Sequence, residues 1–278
     1  MKITRRKLLT TAALPVLGGV GVLGYGFLWE SGWLRVREFE LPLKGLAKPI
    51  SLLHLADLHA GRDVPWSLIE RGIDLGISLK PDLICLTGDF VTRKISKESH
   101  YADLLTRLSE HAPTFAVLGN HDGGGWAQKH RGYKNTTVMH DILATAGIPH
   151  MLNTSVRRFG INLVGLGDLW AKECKPVEVW SKPLPAGPTI VLSHNPDSKD
   201  EIPYDYDLML CGHTHGGQLR IPFTGATPMT PVRDRRFVDG LYEWNGRHLH
   251  ITRGVGNLMH ARMNCRPEVS LLKLKPMA

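Results

Sequence analysis

Residues 51–59 have the sequence SLLHLADLH, in which a short apolar run stops at an aspartate and a histidine follows two positions later. The same arrangement recurs along the chain: LICLTG ends before Asp89, TFAVLG before Asn120, TIVLS before His194 and LMLCG before His213. Continuous apolar runs of this length are typical of strands that are buried on both faces of a sheet. The sequence therefore predicts a series of polar side chains at the ends of buried strands.

The spacing of the first three polar residues matches one strand and one helix. Asp57, Asp89 and Asn120 are 32 and 31 residues apart, which is about the length of a strand–helix crossover between parallel strands. Residues 67–80 and 100–111 are predicted helices, and each ends before a proline. Because function collects outside the carboxyl ends of the strands in such sheets, we expect these side chains to converge.

The last part of the chain has a different pattern. Asn245 and Gly246 form a strong hairpin-turn signal between the segments 240–244 and 248–253. Residues 268–275 then partly alternate, as a half-exposed strand does. We therefore predict an α/β fold in which a second, more antiparallel sheet packs on the first. The length of 278 residues suits one large domain.

The amino-terminal segment has the features of an export signal. Its first seven residues carry four basic side chains, and an uncharged stretch of about 22 residues follows, which as a helix would span about 33 Å. The sequence TRRKLL resembles the twin-arginine export signal, and no A-x-A cleavage site precedes Glu30. We expect residues 1–34 to be a signal that can remain as a membrane anchor, and residues 35–278 to be the functional domain. The alternative is a buried or disordered segment of a cytosolic protein.

Charge and cysteine content limit the classes of function. The formal net charge is +8, but four basic residues belong to the amino-terminal segment, and the remainder has 30 basic and 26 acidic residues. This mild excess, without a stripe of basic and aromatic residues, makes a nuclease a weaker expectation. Cys85 and Cys211 lie in predicted strands, whereas the pairing of Cys174 with Cys265 stays open.

The residues at the strand ends have the chemistry of metal ligands. Residues two apart in an extended segment point the same way about 6.6 Å apart, so Asp57 and His59 can reach one cation, as can His213 and His215. Asp89 offers two carboxylate oxygens, which can bridge two cations about 3.5–4 Å apart. Imidazole, carboxylate and amide oxygen together suit Mn, Fe, Zn or Co better than Ca or Mg.

Five motifs occur in order along residues 57–215: DLH, GD, GNHD, a histidine at 194 and GHTH. This order resembles that of the calcineurin-like metallophosphoesterase family, whose motifs are DxH, GD, GNH[DE], H and GHxH. The resemblance implies a four-layer αββα sandwich of two mixed sheets flanked by helices, with two divalent metal cations as cofactors. It also implies the ligand sets, which are Asp57, His59, Asp89 and His215 for one ion and Asp89, Asn120, His194 and His213 for the other.

The resemblance further assigns two residues beside the metals. It implies that His121 is not a ligand but protonates the leaving oxygen or stabilises it as imidazolium. It also implies that Asp122 orients this imidazole and keeps it charged. The two cations would generate a hydroxide at neutral pH and neutralise the phosphoryl oxygens in the transition state.

Several residues outside these motifs could also take part in metal or phosphate binding. His54 lies inside a predicted strand and is expected to be a hydrogen-bonded core residue. A solvated surface role is expected for each of the arginines that could include a phosphate clamp, namely Arg62, Arg93, Arg131, Arg233, Arg235, Arg236, Arg253 and Arg266. Trp126 and Trp170 either line a substrate cleft or pack in the core. Substrate specificity is expected in the segments of about 40 residues after Asn120 and about 25 after Gln218.

Further blocks at 193–197 (SHNPD), 211–218 (CGHTHGGQ) and 264–268 (NCRPE) make the chain similar to the exported bacterial phosphodiesterase branch of this family. The resemblance implies a metal-dependent phosphodiesterase, a hydrolase acting on phosphoric diester bonds, with Mn, Zn or Fe as candidate cations. The twin-arginine export machinery would deliver it to the periplasm or the outer face of the cytoplasmic membrane. There we expect an envelope or lipid-linked substrate and no specific nucleic acid. The alternatives are a phosphomonoesterase, a non-catalytic metal-containing envelope binding module and a metal-storage protein.

Overall fold

The computed structural model describes residues 29–277 together with Gly24 and Gly26. The predicted twin-arginine pair and most of the uncharged stretch that follows it therefore lie outside the described residues. Within the described part of the chain, no helix is both long enough and apolar enough to cross a membrane.

The apolar runs of the sequence form the strands of two sheets. In chain order the strands are β1 (Arg35–Leu43), β2 (Ile50–Leu55), β3 (Leu83–Thr87), β4 (Thr114–Val117), β5 (Thr154–Arg158), β6 (Ile161–Gly165), β7 (Thr189–Leu192), β8 (Leu208–Cys211), β9 (Gly240–Trp244), β10 (Arg247–Ile251) and β11 (Glu268–Pro276). The α-helices are α1 (Trp66–Ser78), α2 (Glu98–His111), α3 (Gly124–Lys129), α4 (Thr137–Thr145) and α5 (Pro176–Trp180). Short 3-10 helices occupy Glu30–Gly32, Pro196–Glu201 and His215–Gly217.

The first sheet has the strand order β1-β11-β2-β3-β4. Strands β2, β3 and β4 run parallel, and α1 and α2 make the crossovers between them, as the spacing predicts. The second sheet has the order β5-β6-β7-β8-β10-β9, in which β6, β7, β8 and β10 are parallel. Because antiparallel pairs also occur in each sheet, the prediction of two mixed sheets is confirmed.

Three layers of apolar side chains hold the sheets and helices together. Helices α1, α2 and α4 pack on the outer face of the first sheet, with Ile69 of α1 at the centre of that layer. The inner faces of the two sheets pack on each other through residues such as Leu52 and Leu210. The outer face of the second sheet is covered by Val179 of α5, the 3-10 helix at 196–201 and loops. The predicted αββα order is confirmed, with a fourth layer that consists of short helices.

The second, more antiparallel sheet expected from the last part of the chain exists and contains the predicted hairpin, but the expectation that residues 268–275 belong to it is wrong. Strands β9 and β10 form the predicted hairpin around Asn245 and Gly246, but β10 also pairs parallel with β8 and so extends the second sheet. Strand β11 lies in the first sheet between β1 and β2, and it runs antiparallel to β2. Residues 268–272 are all buried, as an interior strand requires, and the alternation seen in the sequence begins only after them.

Strands β1 and β5, which the sequence analysis does not predict, are both edge strands. Each carries exposed basic residues, such as Arg35 in β1 and Arg157 and Arg158 in β5. Charged side chains on an edge strand oppose pairing with another molecule. The same charges interrupt the apolar runs by which the interior strands are recognised.

Two buried histidines link the sheets. His54 on β2 and His250 on β10 are fully buried, with Nδ1 atoms 2.9 Å apart, and His54 Nε2 lies 2.8 Å from the Thr87 hydroxyl oxygen. The prediction of His54 as a hydrogen-bonded core residue is confirmed. Burial lowers the pKa of His54 to about 3, so this imidazole is neutral. Since His250 Nε2 has no hydrogen-bond partner within residues 29–277, the tautomer with hydrogen on His250 Nδ1 leaves no buried N–H unpaired.

Acid should weaken this link between the sheets. An unfolded histidine takes up a proton near pH 6.5, whereas burial keeps folded His54 neutral down to about pH 3. The unfolded chain therefore binds the additional proton, and the free energy of unfolding falls as the pH drops below 6.5, by up to about 1.4 kcal/mol per pH unit for this group. His54→Gln removes that contribution, so urea unfolding between about pH 7 and 5 should depend less steeply on pH than in the parent chain.

The matched control is His111→Gln, which replaces an exposed histidine at the end of α2. This variant should keep the pH dependence of the parent chain. Equal pH dependence in His54→Gln and the parent chain would contradict the prediction.

Candidate metal centre

The predicted site residues lie in the turns that follow the strands. Asp57 and His59 come after β2, Asp89 after β3, and His213 and His215 after β8. All five have left-handed backbone conformations with φ between 49° and 70°, which cost a non-glycine residue about 1–2 kcal/mol. The extended geometry expected for the two i, i+2 pairs is therefore wrong. The ligand side chains converge because the backbone turns sharply at each of them.

One group of ligand atoms belongs to Asp57, His59 and His215, which are all buried and offer one atom each within 4.8 Å of one another. The Nε2 atoms of His59 and His215 are 3.0 Å apart, and His215 Nε2 is 3.7 Å from Asp57 Oδ1. The Asp57 carboxylate also accepts the backbone amide of His213 at 3.1 Å. This hydrogen bond ties the turn after β2 to the turn after β8.

The second group consists of Asp89, His194 and His213, again with one atom each within 4.8 Å of one another. His194 Nε2 lies 3.2 Å from Asp89 Oδ2 and 3.1 Å from His213 Nδ1. The same Asp89 oxygen is 3.5 Å from His59 Nε2 in the first group. Asp89 thus lies between the two groups, where a carboxylate can bridge two cations.

Asn120 follows Gly119, whose backbone packs against Asp89 and His194 of the second group. Its Oδ1 is buried and has no hydrogen-bond partner within the described residues, which is unfavourable unless another group meets it. A Cβ at Gly119 would collide with Asp89 Oδ1, and a Cβ at Gly212 would lie 2.6 Å from Asp57 Oδ2. These glycines let the backbone approach both carboxylates. The resulting set of imidazole, carboxylate and amide donors fits two divalent cations.

Burial controls the protonation of these groups. It lowers the pKa of His59 and of His213 to about 3, so both imidazoles are neutral and can bind a cation. Burial opposes the charge on Asp89, but the positive charges of His194 and His121 hold the pKa of Asp89 well below its usual value. Against its own burial, His194 has a pKa raised to about 10 by the Asp89 carboxylate. A cation bound to this pair would displace the proton of His194.

The second ring nitrogen of each of three histidines has its own partner. His194 Nδ1 lies 2.8 Å from the Thr87 carbonyl oxygen, and His213 Nε2 lies 3.1 Å from the Pro231 carbonyl oxygen. His59 Nδ1 lies 3.2 Å from the Thr92 hydroxyl oxygen. Such contacts fix the tautomer and the ring orientation of a metal-binding histidine, so the nitrogen that faces the centre is set before a cation binds.

His121 lies at the edge of the centre. Its backbone amide donates to Asp89 Oδ1 at 2.9 Å, and its Nδ1 lies 3.2 Å from the Thr92 carbonyl oxygen. Its ring packs edge-on against His59 and Trp126, and it lines a cavity of about 400 Å³. Trp170 packs edge-on against His213. Both tryptophans therefore border the site, which was one of the two roles expected for them.

The expectation that Asp122 orients the His121 imidazole does not match this geometry. The fully buried carboxylate of Asp122 accepts the backbone amides of Gly119 and Val91 at 2.8 and 3.1 Å, and the imidazole meets the Thr92 carbonyl instead. Burial, and then the charge of Asp89, raise the pKa of Asp122 to about 8. Asp122 therefore joins the loops that carry Asp89 and Asn120.

Arg262 is a buried neighbour of the centre that the sequence analysis misses. Its guanidinium donates to the carbonyl oxygens of His215, Arg253 and Gly254 at 3.1, 2.8 and 3.2 Å. These carbonyls belong to the two loops that carry His215 and pack against Asp57. The surrounding sequence MHARMN gives no signal of this role, because all the partners come from distant or neighbouring backbone.

The sequence left open whether Cys174 and Cys265 form a disulfide, and the structure answers this question. All four cysteines are free thiols, so Cys174 and Cys265 are not paired. The buried Cys265 thiol donates to the carbonyl oxygen of His215 at 3.2 Å. It therefore supports the backbone of a candidate ligand, in the same way as Arg262.

Asp168 is a second buried neighbour of the centre that the sequence analysis leaves out. It is 2% exposed and follows β6, and its Oδ1 accepts the amide of Ala171 at 2.8 Å. Its other oxygen is buried without a partner among the described residues. Burial raises the pKa of Asp168 to about 6. Its place at a strand end beside the others is the signal that could have included it.

Comparisons with known proteins agree with this geometry. The model of the calcineurin-like phosphoesterase family matches residues 50–217. The chain is 45% identical to phosphodiesterase YaeI of Escherichia coli (strain K12), over 98% of this chain and 99% of that protein. It is 28% identical to UDP-2,3-diacylglucosamine pyrophosphatase LpxG of Chlamydia trachomatis, over 95% and 96% of the two chains. It is 30% identical to the uncharacterized metallophosphoesterase YkuE of Bacillus subtilis, over 70% and 68%. The chain belongs to the calcineurin-like phosphoesterase family.

Removing the shared carboxylate should empty the centre. In Asp89→Asn the charge between the two groups is lost, so neither group keeps enough negative charge to hold a divalent cation tightly. After loading with Mn²⁺ or Zn²⁺ and dialysis, we expect the parent chain to retain about two ions and the variant fewer than about one. Inductively coupled plasma mass spectrometry measures the ratio of metal to protein.

Asp63→Asn is the matched control, since Asp63 is a carboxylate outside both groups, beside the same cavity as His121. It should retain the metal content of the parent chain. Full metal content in Asp89→Asn would contradict the assignment of Asp89 as the bridge.

Proposed function

We propose that this calcineurin-like phosphoesterase is a metal-dependent phosphodiesterase that acts through two divalent cations. The observation that carries the proposal is the position of Asp89 Oδ2, which lies 3.2 Å from His194 Nε2 and 3.5 Å from His59 Nε2. The relative named as a phosphodiesterase, which aligns over nearly the whole chain, supports the diester class. The proposed ligands are Asp57, His59, Asp89 and His215 for one ion and Asp89, Asn120, His194 and His213 for the other.

In the proposed reaction the cations and His121 have separate roles. Bound cations would supply a hydroxide at neutral pH and neutralise the charge that develops on the phosphoryl oxygens. The Thr92 carbonyl oxygen meets His121 Nδ1, so Nε2, which has no hydrogen-bond partner among the described residues, is the nitrogen through which this imidazole can deliver a proton. That proton can pass to the leaving oxygen of the substrate. Asp122 contributes by fixing the loop that carries His121 and Asn120.

We also propose that the substrate belongs to the envelope or is lipid-linked. Exposed apolar side chains beside the centre support this proposal: Met229 and Met259 line a small cleft with His213 and His215. Phe223, which precedes Met229 in the same segment, is also fully exposed. Exposed apolar side chains of this size are typical of surfaces that meet another apolar phase.

The start of the described chain supports an anchored location. Glu30 accepts the backbone amides of Asn264 and Cys265 at 2.9 and 2.7 Å, which fixes the entry of the chain beside the segment that carries Arg262. Trp29 and Trp33 are both exposed at this entry, and tryptophan is enriched at membrane interfaces. We propose that the chain is exported by the twin-arginine route, and that the segment before Glu30 holds the domain at the outer face of the cytoplasmic membrane.

The diester preference can be measured directly. Metal-stripped protein, restored with Mn²⁺, Zn²⁺, Fe²⁺ or Mg²⁺, should hydrolyse bis-p-nitrophenyl phosphate faster than p-nitrophenyl phosphate. His121→Ala should lower kcat by roughly 10²–10⁴-fold, because it removes the proton donor and leaves the ligands in place. The metal content of this variant should equal that of the parent chain. Faster hydrolysis of the monoester would favour the alternative of a phosphomonoesterase. If neither ester is hydrolysed while two ions are bound, the result would favour the non-catalytic binding module.

The export route depends on the arginine pair. Arg5→Lys/Arg6→Lys keeps the positive charge but removes the guanidinium pair of the proposed signal. In a bacterial host with a twin-arginine pathway, we expect the full chain to remain in the cytoplasm, whereas Lys2→Arg should be exported like the parent chain. Cell fractionation and protease accessibility of spheroplasts measure the distribution. Unchanged export of the double variant would exclude this route.

A further inference from the structure

The cavity beside His121 has a strongly basic rim. It has a volume of about 400 Å³, and Arg93, Lys129 and Arg131 line it together with His121. The sequence analysis assigned a solvated surface role to both arginines individually. The structure brings them together on one cavity, which Lys129 and His121 also line.

These cations have no partner of opposite charge. Within the described residues the side chains of Arg93, Lys129 and Arg131 make no hydrogen bond or ion pair. The one carboxylate at the rim, Asp63, lies 3.5 Å from His260 Nε2. Some exposed cations elsewhere are paired, for example Lys273 with Glu38 and Arg236 with Asp234. Three unpaired positive charges around one cavity favour the binding of an anion.

The backbone holds one of these cations in place. Arg131 follows α3 with φ of 68°, a left-handed conformation in a non-glycine residue. The turn is closed by hydrogen bonds from the amides of Gly132 and Arg131 to the carbonyl oxygens of Ala127 and Gln128, at 2.7 and 3.2 Å. Conformations of this kind persist where the surrounding structure imposes them, and they cluster at functional sites.

The location of the cavity relates it to the leaving group. Thr92 lines the cavity, its carbonyl oxygen meets the His121 imidazole, and its hydroxyl meets the His59 imidazole. In the proposed function, His121 faces the leaving oxygen of the substrate. The part of the substrate beyond that oxygen therefore enters the cavity, where Arg93 and Arg131 can donate charge-assisted hydrogen bonds to an anionic group.

We propose that this cavity is a subsite for a second phosphate on the leaving-group side, and that the preferred substrates are diphosphate diesters. The proposal rests on the proposed function and specifies its substrate class. Hydroxide adds to one phosphorus, and the bond from that phosphorus to the bridging oxygen breaks. The bridging oxygen leaves with the second phosphate and takes the His121 proton, so the products are two phosphomonoesters. The basic rim stabilises the charge on the departing phosphate.

The test compares substrates with and without the second phosphate. Turnover of ADP-glucose and of bis-p-nitrophenyl phosphate is measured for the metal-loaded parent chain and for Arg93→Gln, Arg131→Gln and the double variant. We expect the kcat/KM for ADP-glucose, divided by that for bis-p-nitrophenyl phosphate, to fall about ten- to hundredfold in the double variant. Lys134→Gln removes an exposed cation that does not line the cavity, and it should leave this ratio unchanged.

An unchanged ratio in the double variant would overturn the proposal of a phosphate subsite. It would not contradict the proposed phosphodiesterase function. If the parent chain cleaves neither substrate, or only bis-p-nitrophenyl phosphate, isothermal titration calorimetry with ADP and with AMP tests whether the cavity binds a second phosphate. Tighter binding of ADP than of AMP in the parent chain, lost in the double variant, would support the subsite even where the proposed function fails. Equal affinities for ADP and AMP in the parent chain would overturn it.

Discussion

The rest of the structure depends on the buried carboxylate of Asp89, which both groups of ligands share. Asp89 follows β3 of the first sheet, yet the imidazole nearest to its carboxylate is that of His194, which follows β7 of the second sheet. A second contact between the sheets runs from the His213 amide to the Asp57 carboxylate. The sheets must therefore meet with the carboxyl ends of their central strands side by side, and the apolar layer between their inner faces fixes that alignment.

The ligand residues of the centre have unfavourable backbone conformations. Asp57, His59, Asp89, His213 and His215 all have left-handed conformations, which side chains with a Cβ adopt rarely. Glycines at 119 and 212 leave room for the carboxylates, and Arg262 draws the loops around His215 together through their carbonyl oxygens. Strain concentrated at a cluster of polar side chains is typical of sites in which geometry matters more than local stability.

The sequence predicts the ligand-bearing strands well and their surroundings poorly. Residues 83–86 and 208–211 are apolar throughout because both faces of these strands are buried, so the strand and the polar residue that follows it are visible locally. The edge strands β1 and β5 lack that signal because solvent tolerates their charges. The contact of the Asp122 carboxylate with the Val91 amide, and the place of β11 between β1 and β2, depend on segments that are distant in sequence. No local pattern records such contacts.

The place of β11 also has a consequence for the order of events during synthesis. Strand β11 pairs with β1 along its whole length, with Arg35 opposite Glu268 and Leu43 opposite Pro276, and it separates β1 from β2. A nascent chain on the ribosome cannot complete the first sheet until residues 268–276 have emerged. Arg262, which supports His215, emerges shortly before them. The last strand in chain order among the described residues is thus an interior part of the fold, and the loops around His215 gain the support of Arg262 only once residues 262–276 are in place.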